Sequence, residues 1–519
     1  MEKIIRDILE ESAEKFSDIP AVKWLKKKEI LEKSYCELME NMAAVRRGLL
    51  AEGFQGKHIA LIGGSSVEWM ESYLGIITGD TVAVPLDAGL PSEDLIDLIN
   101  RSDSEALFMS PKNEALLDGI LAGCPKLKKI WILADAEVES EGEKLSSLAK
   151  LKEAAKNSDA DAERPDPENV ATIIFTSGTT GKSKGVMLTQ RNLAENVKSV
   201  DYTTEPGTIL LSVLPIHHAY CLVMDWLKGF SLGTTVCIND SLMHMVRNMG
   251  IFKPKVMLMV PMMIETIYKK LASIDAAVPK KAVAAQVFGG NLEIIFTGGA
   301  HLDPYYLDQF AEYGVEVLEG YGMSECSPVI SSNTPETHKA GSIGRPLSNV
   351  EINFDNGEIL VRGSSVMKGY YKMPEETAET LKDGWLHTGD KGYIDEDGFL
   401  FINGRVKNLI ILSNGENISP EEIENKLALD VLVGEVIVTG EDNGLTARIY
   451  PEQEVVEAKG MNEEEVRAAL QAFIDKYNKN QPTYRQITGL VVRKNPFIRS
   501  STKKIKRQEA LIDEPLPTV

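Results

Sequence analysis

Cysteine is scarce: the chain of 519 residues has five (Cys36, Cys124, Cys221, Cys237 and Cys326), and no two of them form a CxxC pair. That odd count without metal-ligand spacing argues against a disulfide scaffold or a cysteine zinc site and reads as reduced thiols in a cytosolic protein. Positive charge is also in deficit, with 56 Lys and Arg against 77 Asp and Glu for a formal net charge of −21. A nucleic-acid scaffold demands a basic surface, so no nucleic-acid partner is expected, although a local basic pocket for an anionic substrate is compatible with the total. Long hydrophobic runs are missing too. The most apolar stretch, 256–264, lies between Lys255 and Glu265 and is far too short to span a bilayer, so no transmembrane segment is expected. Residues 1–16, MEKIIRDILEESAEKF, are amphipathic and charged with no apolar centre, which is not a secretion signal. A cytoplasmic location is the simplest placement. No period of 20–50 residues and no low-complexity tract occurs.

What is present is an ordinary globular composition, 43% hydrophobic and 26% charged. The length exceeds what one core supports, so two or more domains are expected. Apolar runs at 58–63, 81–86, 129–134, 209–214, 235–238, 256–260 and 292–297 alternate with amphipathic helical patterns, the signature of α/β layers with largely parallel sheets. After about Gly341 the texture changes. Segments 351–354, 358–362 and 399–402 are short and alternating, with turns at Asp355-Asn356-Gly357 and Asp397-Gly398, and predict a small antiparallel β region. From Arg405 the pattern is compact α+β. A helix is expected to open at Pro420, with Ser419 as N-cap and Glu421 and Glu422 in its first turn. The expected fold is therefore α/β, with a large N-terminal domain over 1–404 and a small mobile α+β domain over 405–519.

One segment carries chemistry on its face. Thr176-Ser177-Gly178-Thr179-Thr180-Gly181-Lys182-Ser183-Lys184-Gly185 follows the apolar run 170–175. Glycines and small hydroxylated residues expose backbone N–H groups and let the chain wrap an anion, while two lysines add charge for a polyphosphate. A flexible surface loop is the bland reading, but linkers rarely start on a buried strand and carry two lysines. A P-loop NTPase is the chemical rival. Its motif needs a glycine five places before Gly181, where Thr176 stands, and Val186-Met187-Leu188 does not start a helix.

The segment resembles the nucleotide loop of the adenylate-forming superfamily of acyl-CoA synthetases, peptide-synthetase adenylation domains and firefly luciferase, with Ser183 where proline is common. The resemblance continues through nearly the whole chain. Leu214-Pro215-Ile216-His217-His218 is similar to a block bordering the acyl pocket, to which Gly298 is also assigned. Peptide-synthetase domains place an aspartate near there for the substrate's α-ammonium, so the histidines argue against an amino acid. Thr297-Gly298-Gly299-Ala300 suits close approach of a planar base or an acyl chain. Tyr321-Gly322-Met323-Ser324-Glu325 resembles the block in which Tyr321 stacks on adenine, Ser324 contacts phosphate and Glu325 holds Mg²⁺, with Thr176 as a second metal contact. Trp385-Leu386-His387-Thr388-Gly389-Asp390 matches the block whose aspartate accepts both ribose hydroxyls. In Gly404-Arg405-Val406-Lys407 the resemblance makes Arg405 a ribose contact and Lys407 the hinge. Arg499-Ser500-Ser501-Thr502-Lys503-Lys504-Ile505 resembles the segment whose lysine reaches the acyl carboxylate and the α-phosphate; Ile505 sets the register and makes Lys504 the candidate.

The resemblance implies an ATP- and Mg²⁺-dependent enzyme that turns a carboxylic acid into its acyl-AMP with release of pyrophosphate. Lys504, His218 and Glu325 are the candidate catalytic residues. The small domain then rotates about Lys407, and segment 412–418 faces a thiol. Fatty-acyl-CoA ligases are the most similar, from Val366-Met367-Lys368-Gly369-Tyr370-Tyr371 and the histidine pair. That makes the thiol CoA, the alternatives being the phosphopantetheine of an acyl carrier protein or a non-catalytic binding relative. Chain length of the acid and oligomeric state do not follow from the residues.

Overall fold

The computed structural model describes residues 2–134, 144–156, 160–176, 182–272, 274, 277–411, 417–441, 444–499, 505 and 507. They form two compact units. The first comprises Met1–Ala300, Pro304–Ile352 and Val361–Leu386; the second comprises His301–Asp303, Asn353–Leu360 and His387–Val519. By packing, the hairpin 387–405 belongs to the second unit, ahead of the change of texture near residue 405.

Within the first unit, the described residues form two large sheets. In one, Val82–Leu86, His58–Ile62, Ala106–Met109, Lys129–Ile132 and Leu145–Ser147 lie parallel in that order. Val170–Thr176 joins parallel to Val82–Leu86, and Lys184–Thr189 and Gly369–Tyr370 extend the edge antiparallel. Strands such as Val82–Leu86 and Ala106–Met109 are buried at every position because helices cover both faces, which is why they read as unbroken apolar runs. The helix Val67–Ile77 starts where Ser66 accepts from the Trp69 N–H at 3.2 Å. Ala60, Val84, Leu107, Ile130 and Ile173 pack into one core, each buried Val, Leu or Ile side chain contributing about 1.5–3 kcal/mol.

The second sheet has the order Arg345–Pro346, Val329–Ser332, Glu316–Gly322, Ile294–Thr297, Val256–Met259, Ile209–Ser212, Thr235–Ile238, Pro20–Lys26, Glu29–Ser34. Its five central strands, from Glu316–Gly322 to Thr235–Ile238, are parallel. Loops leaving their carboxyl ends therefore emerge on one edge. Open parallel sheets place ligands there.

In the second unit, Val433–Glu441 pairs antiparallel with Gly444–Pro451, which pairs parallel with Ile487–Val492. The helices Pro420–Leu427 and Glu463–Asn478 bury Ile423, Leu427, Val466, Leu470 and Ile474 against Val436, Val438 and Ile449. Ser419 is the N-cap of the first helix, but its hydroxyl donates to Glu421 Oε2 at 3.0 Å instead of accepting from the helix backbone. Strand Trp385–Ile394 pairs with Leu400–Arg405, the antiparallel region expected from the alternating pattern. Among the described residues no helix is long and apolar enough to cross a membrane.

Candidate active site

The phosphate segment sits in a hairpin. Strand Val170–Thr176 pairs antiparallel with Lys184–Thr189; Thr176 faces Lys184 as the last pair and donates from Oγ1 to the Lys184 carbonyl at 3.5 Å. Both ends of the loop are thus placed, while Ser177, Gly178, Thr179, Thr180 and Gly181 lie outside the described residues. The segment after the loop is a strand. A P-loop runs into a helix at that point, so the P-loop alternative is closed.

From Lys184 a chain of contacts leads to the second candidate block. The Lys184 ammonium lies 4.8 Å from the centroid of the Tyr370 ring. Tyr370 pairs with Val186 across the sheet edge, and its hydroxyl donates to Glu325 Oε1 at 2.8 Å. Burial, with the Glu325 charge beside it, pushes the Tyr370 phenol well up, so it stays a donor. Glu325 is 9% exposed and sits in the short 3₁₀ turn Ser324–Cys326, directly after strand Glu316–Gly322. Its backbone is pinned from both sides. The Met367 N–H donates to the Glu325 carbonyl at 2.9 Å, and Asn196 Nδ2 donates to the carbonyls of Cys326 (3.2 Å) and Val329 (2.8 Å).

Tyr321, Gly322 and Ser324 lie at the carboxyl end of Glu316–Gly322, and Gly298, Gly299 and Ala300 follow its parallel neighbour Ile294–Thr297. The sheet thus brings together two blocks that are about twenty residues apart in sequence. Gly298 is needed for the approach, since a Cβ there would stand 2.9 Å from the Gly320 carbonyl oxygen. Gly299 has φ +83°, a left-handed backbone that favours glycine, and faces open space.

His217 and His218 follow the strand Ile209–Ser212 on the same edge, their rings 4.3 Å apart. His217 Nε2 is 3.7 Å from Asp87 Oδ2, yet burial outweighs that carboxylate and lowers the imidazole's pKa, favouring the neutral ring. Behind them is a residue that sequence reasoning missed. Asp225 is fully buried in the wide-turned π-helix Tyr220–Lys228; its Oδ2 accepts from Ser212 Oγ at 2.9 Å, and Trp226 Nε1 donates to the same hydroxyl at 3.3 Å. Burial pushes the Asp225 carboxyl up to about 8, so at neutral pH it is mainly a neutral acid. An aspartate is therefore near the histidine block, but it is sealed in the core and uncharged, not offered to a substrate ammonium.

In the second unit, Asp390 and Arg405 face each other across the Trp385–Ile394 hairpin, with Arg405 Nε 2.9 Å from Asp390 Oδ1. The two candidate ribose contacts are thus brought together. Arg405 is half exposed, so the ion pair itself contributes only about 0–1 kcal/mol and acts chiefly to orient. The Asp390 N–H donates to Thr388 Oγ1 at 3.1 Å, and that hydroxyl donates to the Ile359 carbonyl at 2.7 Å. Lys407 stands in the exposed 3₁₀ turn Val406–Asn408. Lys504 lies outside the described residues, as does 412–416, but both flanks of the lysine segment are anchored. Arg499 donates to Glu435 Oε1 from Nε (3.0 Å) and Nη2 (2.7 Å), and bridges antiparallel to Ile505. Arg507 pairs with Glu424, whose carboxyl burial pushes up to about 7 against the pull of Arg507.

The profile of the AMP-binding enzyme family matches residues 9–371, and that of the AMP-binding enzyme C-terminal domain matches 407–513. Among curated relatives, the probable CoA ligase CCL9 of Humulus lupulus is 31% identical over 441 residues, covering 80% of each chain. The long-chain-fatty-acid–CoA ligase FadD15 of Mycobacterium tuberculosis is 28% identical over 460 residues, 78% of this chain and 74% of the relative. Among solved structures, the anthranilate CoA ligase AuaEII in complex with anthranoyl-AMP superposes with a TM-score of 0.83 at 20% identity, over 98% of this chain and 96% of that one. ATP-bound MatB from Rhodopseudomonas palustris gives 0.78 at 24% identity, over 97% of each. The chain belongs to the AMP-binding enzymes, with the α/β fold of the adenylate-forming superfamily. Within that family it is an ATP-using, AMP-forming acid–thiol ligase of the acyl-CoA synthetase type.

Proposed function

We propose that this ligase activates a carboxylic acid lacking an α-ammonium group, a fatty acid in the first instance, and passes the acyl group to the thiol of CoA. One observation carries the reading: the phosphate hairpin, the Lys184 ammonium and the buried Glu325 carboxylate converge through Tyr370 on the edge where the His217-His218 and Gly298–Ala300 loops also emerge. The names of the long-chain and probable CoA ligase relatives support the acid class and favour CoA over a carrier protein. Asp225 is buried and neutral and so offers no charge to a substrate ammonium, which supports a simple acid.

A carboxylate oxygen attacks the α-phosphorus of ATP, the bond to the bridging oxygen breaks, and pyrophosphate leaves. Attack needs two anions brought together, so the protein's work is alignment and neutralisation. The loop at 176–184 cradles the phosphates. Asp390, steered by Arg405, accepts the ribose hydroxyls, and Tyr321 faces the base. Glu325 with Thr176 would hold Mg²⁺. Mg²⁺ is commonly held by one or two carboxylates with substrate phosphates completing the shell, so a single buried carboxylate beside a phosphate loop fits it. The ion supplies charge neutralisation at the phosphates. Lys504, between the anchored residues Arg499 and Arg507, approaches the α-phosphate. Then the part beyond Arg405 turns about Lys407, and the thiol sulfur attacks the acyl carbonyl, releasing AMP and the thiol proton. All five cysteines are free thiols, which supports a cytoplasmic placement.

ATP–pyrophosphate exchange across aliphatic, aromatic and amino acids, repeated with CoA, tests the proposal. Exchange driven by fatty acids, with acyl-CoA formed when CoA is added, is expected. Exchange with a free amino acid alone, and none with simple or aryl acids, contradicts it.

A further inference from the structure

Tyr370 touches both halves of the phosphate site and neither half explains it alone. Its hydroxyl donates to Glu325 Oε1 at 2.8 Å and leaves the other carboxylate oxygen, Oε2, outside that bond. A carboxylate in a short turn can rotate about its side-chain bonds. A hydrogen bond to one oxygen removes that freedom and points the other one way. The opposite feature of the same side chain, its ring face, lies 4.8 Å under the Lys184 ammonium. Lysine is a flexible point charge, and an aromatic face restricts where it sits without neutralising it. Tyr370 itself is 5% exposed and held by its strand pairing with Val186 and by its backbone N–H, which donates to Thr377 Oγ1 at 2.9 Å. The rigid part is the tyrosine.

We propose that Tyr370 is a two-ended positioning residue: its hydroxyl presents Glu325 Oε2 to the metal–triphosphate, and its ring aims Lys184 at the phosphates. This rests on the reading that Glu325 carries the metal. The two ends are separable by chemistry. Tyr370→Phe removes the hydroxyl and keeps the ring; Tyr370→Leu removes both. The probe is Mn²⁺, its binding read by electron paramagnetic resonance on the full chain with α,β-methylene-ATP, alongside ATP–pyrophosphate exchange at varied ATP and saturating metal. Tyr370→Phe should weaken Mn²⁺ binding by about 10-fold, as loss of a ligand's outer partner does, and leave the half-saturating ATP concentration within about 2-fold at saturating metal. Tyr370→Leu should show the same metal loss and raise half-saturating ATP by about 5-fold. Lys184→Met should raise half-saturating ATP, and adding Tyr370→Leu should then add little. Glu325→Gln is the control. If Glu325→Gln loses Mn²⁺ affinity and Tyr370→Phe does not, the proposal falls and the metal reading stands. If Glu325→Gln binds Mn²⁺ as the parent does, both fall. Since Phe differs from Tyr by one hydroxyl, an unchanged melting temperature is expected; a matching loss of Mn²⁺ and ATP affinity in Tyr370→Phe, with lowered melting, would show a core tyrosine and overturn the assignment.

Discussion

Asp225 is a fully buried carboxyl that accepts from the Ser212 hydroxyl, and such a group titrates where burial puts it. Its folded value is about 8 against an ordinary 3.8. Between those values the folded chain keeps a proton that the unfolded chain has released. The stability this contributes is therefore fully present at low pH and is lost as pH rises toward 8. The expected slope is about 1 kcal/mol per pH unit. Urea denaturation from pH 5 to 8 should show the parent losing stability relative to Asp225→Asn, which has no proton to lose and keeps an acceptor for Ser212. Parallel profiles for the two proteins would show that Asp225 is ionised in the fold. This residue was not legible in the sequence. A lone aspartate in the apolar run 219–227 belongs to no motif, and the wide turn of Tyr220–Lys228 with its packing beneath Ser212 buries it. Asp390 was legible because its block is distinctive. Its cross-strand pairing with Arg405, fifteen positions along the chain and closed into a hairpin, was not.

At the scale of elements, the expected strands stand where the apolar runs put them, and for a physical reason. A strand covered on both faces has no polar position to interrupt the run, so Thr235–Ile238 reads cleanly from residues alone. Sheet order did not read out, because the pairing of Ile294–Thr297 with Glu316–Gly322, and of Gly369–Tyr370 with Lys184–Thr189, is set by long-range closure. That is also why Tyr370 was seen only as part of a family-like block. The segment at Lys504 is an element-scale case. Arg499 on Glu435 and Arg507 on Glu424 fix its two flanks. Lys504→Ala should cut acyl-AMP formation by about 10²-fold or more and convert supplied acyl-AMP to thioester almost normally. Glu435→Gln should lower acyl-AMP formation alone, by less, because it loosens one flank and leaves the lysine in place. Both half-reactions are measured separately, by pyrophosphate exchange and by thioester formation from supplied acyl-AMP. A larger adenylation loss in Lys503→Ala would move the register by one residue.

For the whole molecule, two half-reactions place opposite demands on one carbonyl. In the proposed reaction Lys504 reaches the α-phosphate while acyl-AMP forms, and the thiol then needs an open path. Lys407, in the exposed turn Val406–Asn408, is the proposed pivot. Lys407→Pro fixes φ near −65° there and should spare much of the adenylation rate while thioester formation falls sharply; equal loss of both would remove the rotation. The claim beneath all of this is that the acid's oxygen attacks the α-phosphorus. The most direct measurement supplies a fatty acid labelled with ¹⁸O in its carboxylate, with ATP, Mg²⁺ and CoA, and weighs the products. One labelled oxygen in AMP, none in pyrophosphate, and acyl-CoA in step with AMP is the predicted result. Label in inorganic phosphate accompanied by ADP, or AMP released without label, would contradict it.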